Sequence, residues 1–312
     1  MTIVYCWLDQ SLAQERITAL ADSRISTKIN GNWMPLQEET IKLFRVPVRC
    51  YAMSNLDLHT GTYKDPYFKT DLGLAFAGDC FQAQSIVNAF LRAVSQLVVV
   101  GDGQPRPSAT GLVRLLREIA QNWLSTYRLA VPDIQLLLFG YSPQNSLPWA
   151  ARLKWPQVIG PNGDQFEEPL RDTSVFIIGA EAKPEGIAYA AELRDLFMKK
   201  TGKLNLAELR KAGFEPDLEA AKLLNADRML IEDDVASLLM AHAHTTIGGV
   251  MQKVEVIPVG GETCTVAFST DDAAHLGALS DVEPGLAYRS VHWQVGTKGR
   301  PSPFGEDKAL AS

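Results

Sequence analysis

TIVYCWL, residues 2–8, is a run of β-branched, aromatic and apolar residues, the composition of a buried strand. First residues of a domain are ordinarily loose unless something ties them down, yet this run begins at the second residue. No basic segment, apolar stretch and small-residue cleavage site stand ahead of it. The expectation is a cytoplasmic chain whose terminus is woven into the core. With Met1 removed, as is usual before a small residue, the strand would begin on a threonine that carries a free amine.

Working outward from this strand, the composition bounds the rest. A chain of 312 residues, 46% hydrophobic and 21% charged, has the make-up of an ordinary globular protein of one large or two average domains. The net charge of −6, with no basic block, speaks against nucleic acid as a partner. Apolar stretches such as Ile134 to Gly140 fall short of the roughly 20 residues a membrane helix needs. The four cysteines, Cys6, Cys50, Cys80 and Cys264, show no C-x-x-C pairing. They read as reduced thiols, most of them packed as small hydrophobes.

A turn region at Asp9 to Glu15 and a second apolar strand at Ile17–Ala21 make a first hairpin, which ends at Asp22-Ser23-Arg24. Ile25 to Glu39 reads as a looser segment, followed by short strands at Ile41–Phe44 and Val46–Val48. Ser54 to Asp71 reads as a surface loop, and Gly73–Gly78 as a strand entering a glycine turn. Helical periodicity then predicts helices over Phe81–Leu97 and about Thr110–Tyr127, around a break at Gly101–Pro107. Strands return at Ile134–Phe139, Trp149–Lys154 and Ser174–Ile178. Further helices are predicted over Glu185–Lys199 and Ile231–Ala243, then a closing hairpin, Val254–Ile257 with Thr263–Phe268, around Gly260-Gly261. Blocks of strands and helices without strict alternation predict an α+β fold of two packed sheets flanked by helical layers. One domain over residues 1–270 is expected, with an extension over 271–312 that has room for an extra strand and a mobile tail.

The chemistry starts from Thr2. A hydroxyl is a weak nucleophile and needs a base within hydrogen-bond reach. An α-amine titrates near 8, roughly two units below a lysine, so it can be neutral near pH 7. A threonine at the true N-terminus carries both groups in fixed proximity. A neighbouring lysine would favour the neutral amine, a carboxylate would hold that lysine, and a glycine N–H would meet an oxyanion. Thr2, Asp22, Lys42 and Gly78 are the candidates for these four needs. Lys42 interrupts an apolar strand, and a buried lysine must be paired or functional.

In that order, TIVYCWL, ALADSRIS, IKLF and AFAGDCFQAQSIVNAFL resemble the N-terminal half of the proteasome β-subunits and their bacterial relatives, the N-terminal-nucleophile (Ntn) hydrolases. The resemblance implies a four-layer αββα sandwich. It also implies a Thr2 nucleophile with its amine as base, an Asp22–Lys42 supporting pair, and Gly78 N–H in an oxyanion hole. It covers about residues 2–100; FIIGA (176–180) and TTIGGVMQKVEVI (245–257) look like later parts of the same fold. Ala180 stands where the family often has a serine, and His244 and Ile247 where an aspartate and a serine precede paired glycines. The first hairpin and the gap from Asp22 to Lys42 are longer than usual. The functional expectation is a threonine-type hydrolase of amide bonds in a peptide, without cofactor or metal, forming a homo-oligomer that resembles the family's rings. The alternative is a catalytically inactive proteasome-like structural or binding subunit, which Ala180 and His244 favour. A third reading is an amidase of small acyl compounds.

Plainer readings stand beside these. Thr2 can be a simple strand former with Met1 retained, and Asp22-Ser23-Arg24 a turn with a local ion pair. Lys28 rivals Lys42, but its polar neighbours Ser26, Thr27 and Asn30 suggest a loop. Arg24 and Ser26 lie where a substrate backbone could pair, or in a structural turn. His242 and His244 would need an extended segment to ligate a metal. Cys6 lies too far along its strand to use the terminal amine. The stretches Ser54–Asp71 and Asn145–Pro169 read as insertions.

Overall fold

The run at residues 2–8 yields the expected strand, but it begins at Val4 and not at Thr2: β1 runs Val4–Asp9 and pairs on both sides, with β2 (Arg16–Ala21) and with β13 (Val175–Ile178). The computed structural model describes residues 2–9, 15–37, 40–99, 103–126, 133–155, 166–168, 175–179, 252–259 and 263–269. In the first sheet β14 (Gln252–Val259) adds to β2, and β15 (Thr263–Ser269) adds to β14, so the order is β13-β1-β2-β14-β15, antiparallel throughout.

The second sheet has the order β12-β11-β10-β8-β5-β9. Its strands are β5 (Leu43–Ala52), β8 (Phe68–Gly78), β9 (Leu97–Val99), β10 (Ile134–Tyr141), β11 (Pro148–Trp155) and β12 (Phe166–Glu168). Among the described residues of this sheet, only the β5–β9 pair is parallel. The remaining strands form two small ribbons: β3 (Ile25–Ile29) with β4 (Asn32–Gln37), and β6 (Leu56–Asp57) with β7 (Thr62–Tyr63).

Two cores follow from strand alternation. Val4, Cys6 and Leu8 of β1 and Ile17, Ala19 and Ala21 of β2 meet Ala75, Ala77, Leu137 and Phe139 of the second sheet, so the sheets share one apolar layer. The opposite face of the second sheet is covered by helices α1 (Cys80–Val94) and α2 (Ala109–Ser125). On α1, Ala83, Ile86, Val87, Phe90 and Val94 are buried at helical spacing, and Asp79 caps the first turn by accepting from the Gln82 N–H at 3.0 Å. Ser108 caps α2 by accepting from the Gly111 N–H. Tyr5, Trp7 and Leu20, on the other face of the first sheet, are buried too. Among the described residues, two large sheets and one helical layer thus stand as a mixed α/β architecture. The helices expected over Glu185–Lys199 and Ile231–Ala243, the glycine turn at Gly260-Gly261 and the extension over 271–312 lie outside the described residues.

The structure corrects several expectations. Ile25 to Glu39 is no loose segment: β3 and β4 form a hairpin around Asn30 (φ 52°) and Gly31 (φ 87°). Adjacent left-handed residues are what a two-residue hairpin turn of type I′ requires, and Asn-Gly supplies them at little cost. Lys28 accordingly lies on β3 and not in a loop, and Ser26, which pairs with Pro35, is a ribbon residue. The two short strands at Ile41–Val48 are one strand, β5, because Pro47 is accommodated beside Asp71 of β8. The polar run ending at Asp71 is not all loop: Phe68–Asp71 begins β8, with the Asp71 carboxylate held by Arg45 at 2.6 Å and Arg49 at 3.0 Å. Leu97 leaves the α1 stripe to start β9. Asn145–Pro169 includes β11 and β12, which belong to the second sheet and are no mere insertion. Among the described residues no helix is long and apolar enough to cross a membrane.

Candidate functional site

One end of the first sheet assembles the predicted residues. The β1–β2 register pairs Val4 with Ala21, which brings Ile3 opposite Asp22. Two bonds make that pairing: the Asp22 N–H donates to the Ile3 carbonyl at 3.3 Å, and the Ile3 N–H donates to Asp22 Oδ1 at 2.9 Å. Thr2 is the next residue, and it is only 4% exposed.

Lys42 arrives from the second sheet. It immediately precedes β5, a correction to its expected place within a strand, and its carbonyl accepts from the Phe76 N–H of β8 at 3.2 Å. Its Nζ donates to Asp22 Oδ1 at 3.0 Å and to the Arg24 carbonyl at 2.6 Å. Both side chains of the ion pair are 1% exposed. One carboxylate oxygen therefore holds the ammonium and the backbone beside Thr2 at once. Burial pushes the Lys42 ammonium below its ordinary range, the Asp22 carboxylate works against that, and Arg24 adds a smaller push downward. The ammonium that faces Thr2's end of the strand is thus paired yet desolvated.

Two glycines close the site. Gly78 ends β8 with φ 101°, and a Cβ there would lie 1.9 Å from the Asp133 carbonyl oxygen. Gly179, directly after β13, has φ 104°, and a Cβ there would lie 1.8 Å from the Thr2 carbonyl oxygen and 3.0 Å from the Cβ of Ala77. Only glycine tolerates such backbone approach and such dihedrals. Gly179 thereby joins the start of β1 to the end of β8, one residue before Gly78.

The structure adds participants that were not singled out in the sequence. Gln135 of β10 is buried, and its Oε1 accepts from the Gly179 N–H at 3.3 Å. Gln252, first residue of β14, binds the backbone of residues 40–43. Cys80, the first residue of α1, is partly exposed and close enough to Lys42 for the ammonium to favour its thiolate, although burial dominates and raises its pKa. Cys6 and Cys50 are buried free thiols, as small hydrophobes are. Arg24 contributes its carbonyl to Lys42 rather than a free edge. No cluster of three or more metal-ligating side chains occurs among the described residues. Met1, Ala180, His242, His244 and Ile247 lie outside them.

No family model matches the chain, and no curated protein matches it. Among the solved structures that match the chain are three of Anbu proteins. The helical assembly of the Anbu complex from Pseudomonas aeruginosa is 15% identical, over 89% of this chain and 90% of that one, with a TM-score of 0.46. Anbu (ancestral beta-subunit) from Yersinia bercovieri is 15% identical over 93% and 100%, with a TM-score of 0.44. Anbu from Hyphomicrobium sp. strain MC1 is 15% identical over 91% and 99%, with a TM-score of 0.45. At this distance the likeness assigns the chain to no family. The resemblance to proteasome β-subunit-like Ntn hydrolases drawn from the first hundred residues is corrected accordingly: no family model supports it, and these three structures are of Anbu proteins at 15% identity.

Proposed function

We propose that the chain hydrolyses amide bonds, peptides foremost, through Thr2 once removal of Met1 frees its amine. The observation that carries this reading is the fully buried Lys42–Asp22 pair, whose carboxylate also binds the backbone one residue from Thr2. A buried ion pair is a costly way to stabilise a fold, and its placement beside a terminal hydroxyl and amine has a chemical use. The amine takes the Oγ1 proton as the oxygen attacks the substrate carbonyl. The tetrahedral oxyanion is met by backbone N–H, with Gly78 the candidate donor. Collapse passes the proton to the departing amine and leaves an ester on Thr2, and a water activated by the same amine releases the acid. Lys42 keeps the amine neutral and stabilises the alkoxide, and Asp22 holds Lys42. No cofactor enters this scheme. Self-association belongs to the same proposal, and sedimentation of the purified chain tests it.

A second reading has its own observation. Thr2 is 96% withdrawn from solvent, and the Lys42 ammonium is satisfied by Asp22 and Arg24 as a strut between the two sheets. On that basis the chain is a non-catalytic structural or binding subunit. Intact mass after incubation with a β-lactone separates the two. Loss of Met1 with an adduct on Thr2, abolished by Lys42→Ala, supports hydrolysis. Retained Met1, or a bare Thr2 that takes no adduct, supports the structural subunit.

A further inference from the structure

Asp22 and Lys42 are separated by the whole β3–β4 ribbon, so the chain between them does not by itself fix the distance between carboxylate and ammonium. Something else must set where residue 42 begins. Gln252 is the first residue of β14, and its backbone is paired with Ala21, the residue before Asp22. Its side chain leaves the first sheet and binds the incoming segment at three points. Oε1 accepts from the Lys42 N–H at 2.9 Å and from the Leu43 N–H at 3.3 Å, and Nε2 donates to the Thr40 carbonyl at 2.5 Å. One amide thus binds the segment on both sides of residue 41 and ties it to Ala21, the residue before Asp22. At the ribbon's base the Thr40 N–H donates to the Ser23 carbonyl at 3.0 Å, which closes the same frame from the other side.

We propose that Gln252 is a positioning residue for the Thr2 reaction, a clamp that holds the Lys42 backbone in register with Asp22 so that the ammonium meets the start of β1. The amide uses acceptor and donor together, so no apolar residue replaces it, and a shorter amide cannot reach all three partners. The kinetic consequence rests on the amide-hydrolysis reading, because a displacement of about 1 Å at a supporting group can cost on the order of a hundredfold in rate. The placement of Lys42 does not depend on that reading.

The test compares the wild type with Gln252→Met, Gln252→Asn and Ile86→Val, the last a destabilising change in the α1 core remote from the site. Two quantities are read well below each melting temperature: the rate of β-lactone adduct formation on Thr2, and the 13Cε resonance of Lys42 in lysine-labelled protein. Gln252→Met is expected to slow the adduct at least tenfold and to move the Lys42 resonance, with Gln252→Asn between it and the wild type. Ile86→Val is expected to change neither. Adduct formation in Gln252→Met at the wild-type rate, or equal slowing in Ile86→Val, would overturn the proposal. A wild type that forms no adduct overturns amide hydrolysis instead. In that case a shifted Lys42 resonance in Gln252→Met still supports the clamp, and an unshifted one overturns it. Gln252→Asn carries the same readouts if Gln252→Met does not fold.

Discussion

The entry to β5 and the strand itself carry two carboxylate–cation clusters only a few residues apart, and they obey opposite rules. At the entry, Lys42 and Asp22 are 1% exposed and share their partners with backbone groups. Three residues on, Asp71 is held by Arg45, whose side chain is 47% exposed, and by Arg49, 22% exposed. The outer cluster gains little, since water and salt screen it and long side chains lose freedom to form it. In the inner one each partner depends on the other, because either left alone would be an uncompensated charge in the interior. Proximity in sequence therefore says nothing about energetic weight; depth decides it.

The largest break in this comparison is Lys42→Ala. Removing one partner of a buried pair costs about 3–5 kcal/mol, and urea unfolding should read it as a lowered midpoint. The double exchange Asp22→Leu with Lys42→Met should recover much of that loss, and a double variant no more stable than Lys42→Ala would show that the pair is not the source of the cost. Next comes Gly179→Ala. A left-handed dihedral costs an alanine about 1–2 kcal/mol, and the overlap with the Thr2 carbonyl adds to it, so the melting temperature should fall by more than for Gly103→Ala. Gly103 shares the positive φ, but a Cβ there meets nothing closer than 3.9 Å.

Alkaline pH sharpens the contrast between buried and exposed groups. Burial raises both Cys6 and Cys50, the latter to about 12, from an ordinary value of 9.0. Above pH 9.0 the unfolded thiols lose protons that the folded ones keep, so stability falls as pH rises, by about 1.4 kcal/mol per unit for each thiol. Lys42 has the opposite sign: its folded value lies below the ordinary 10.5, so the unfolded state holds more protons until that pH and stability gains. Denaturation midpoints should decline above pH 9.0, and more steeply above 10.5, where the opposing gain from Lys42 ends. Lys42→Met should remove that change of slope. The smallest effect belongs to Arg45→Ala, expected below about 1 kcal/mol and smaller still in high salt; a loss comparable with Lys42→Ala would erase the distinction between the two clusters.

Much of this is legible in the sequence. The run at residues 2–8, the apolar stripes of α1 and α2, and the strand-to-turn ending at Gly78 declare themselves through period 2, period 3.6 and glycine, which are local signals. Lys42 is legible because a charge is conspicuous in apolar surroundings, whereas its pairing with Asp22 is what the family resemblance implies. The Asn30-Gly31 turn is legible too, but polar flanks disguise the two short strands it joins. What could not be read is of another kind. Gln252 meets Lys42 across 210 positions of sequence, and Gly179 meets Thr2 across a sheet. Side-chain bonds to backbone leave no periodicity behind, and a glycine chosen for crowding looks like one chosen for a turn. The family resemblance shows the same limit, because ordered short motifs in the first hundred residues did not extend to a family match of the chain.

The β3–β4 ribbon has one last consequence. Its base is cinched between Ser23 and Thr40, while its tip at Asn30-Gly31 projects with Ile29 and Met34 about half exposed. Residues added at such a tip lengthen an excursion that is already closed, and closure entropy grows only slowly with length. That makes the tip the natural splice point for a foreign epitope or a fluorescent reporter, carried on a stalk whose root reaches the Lys42 pair.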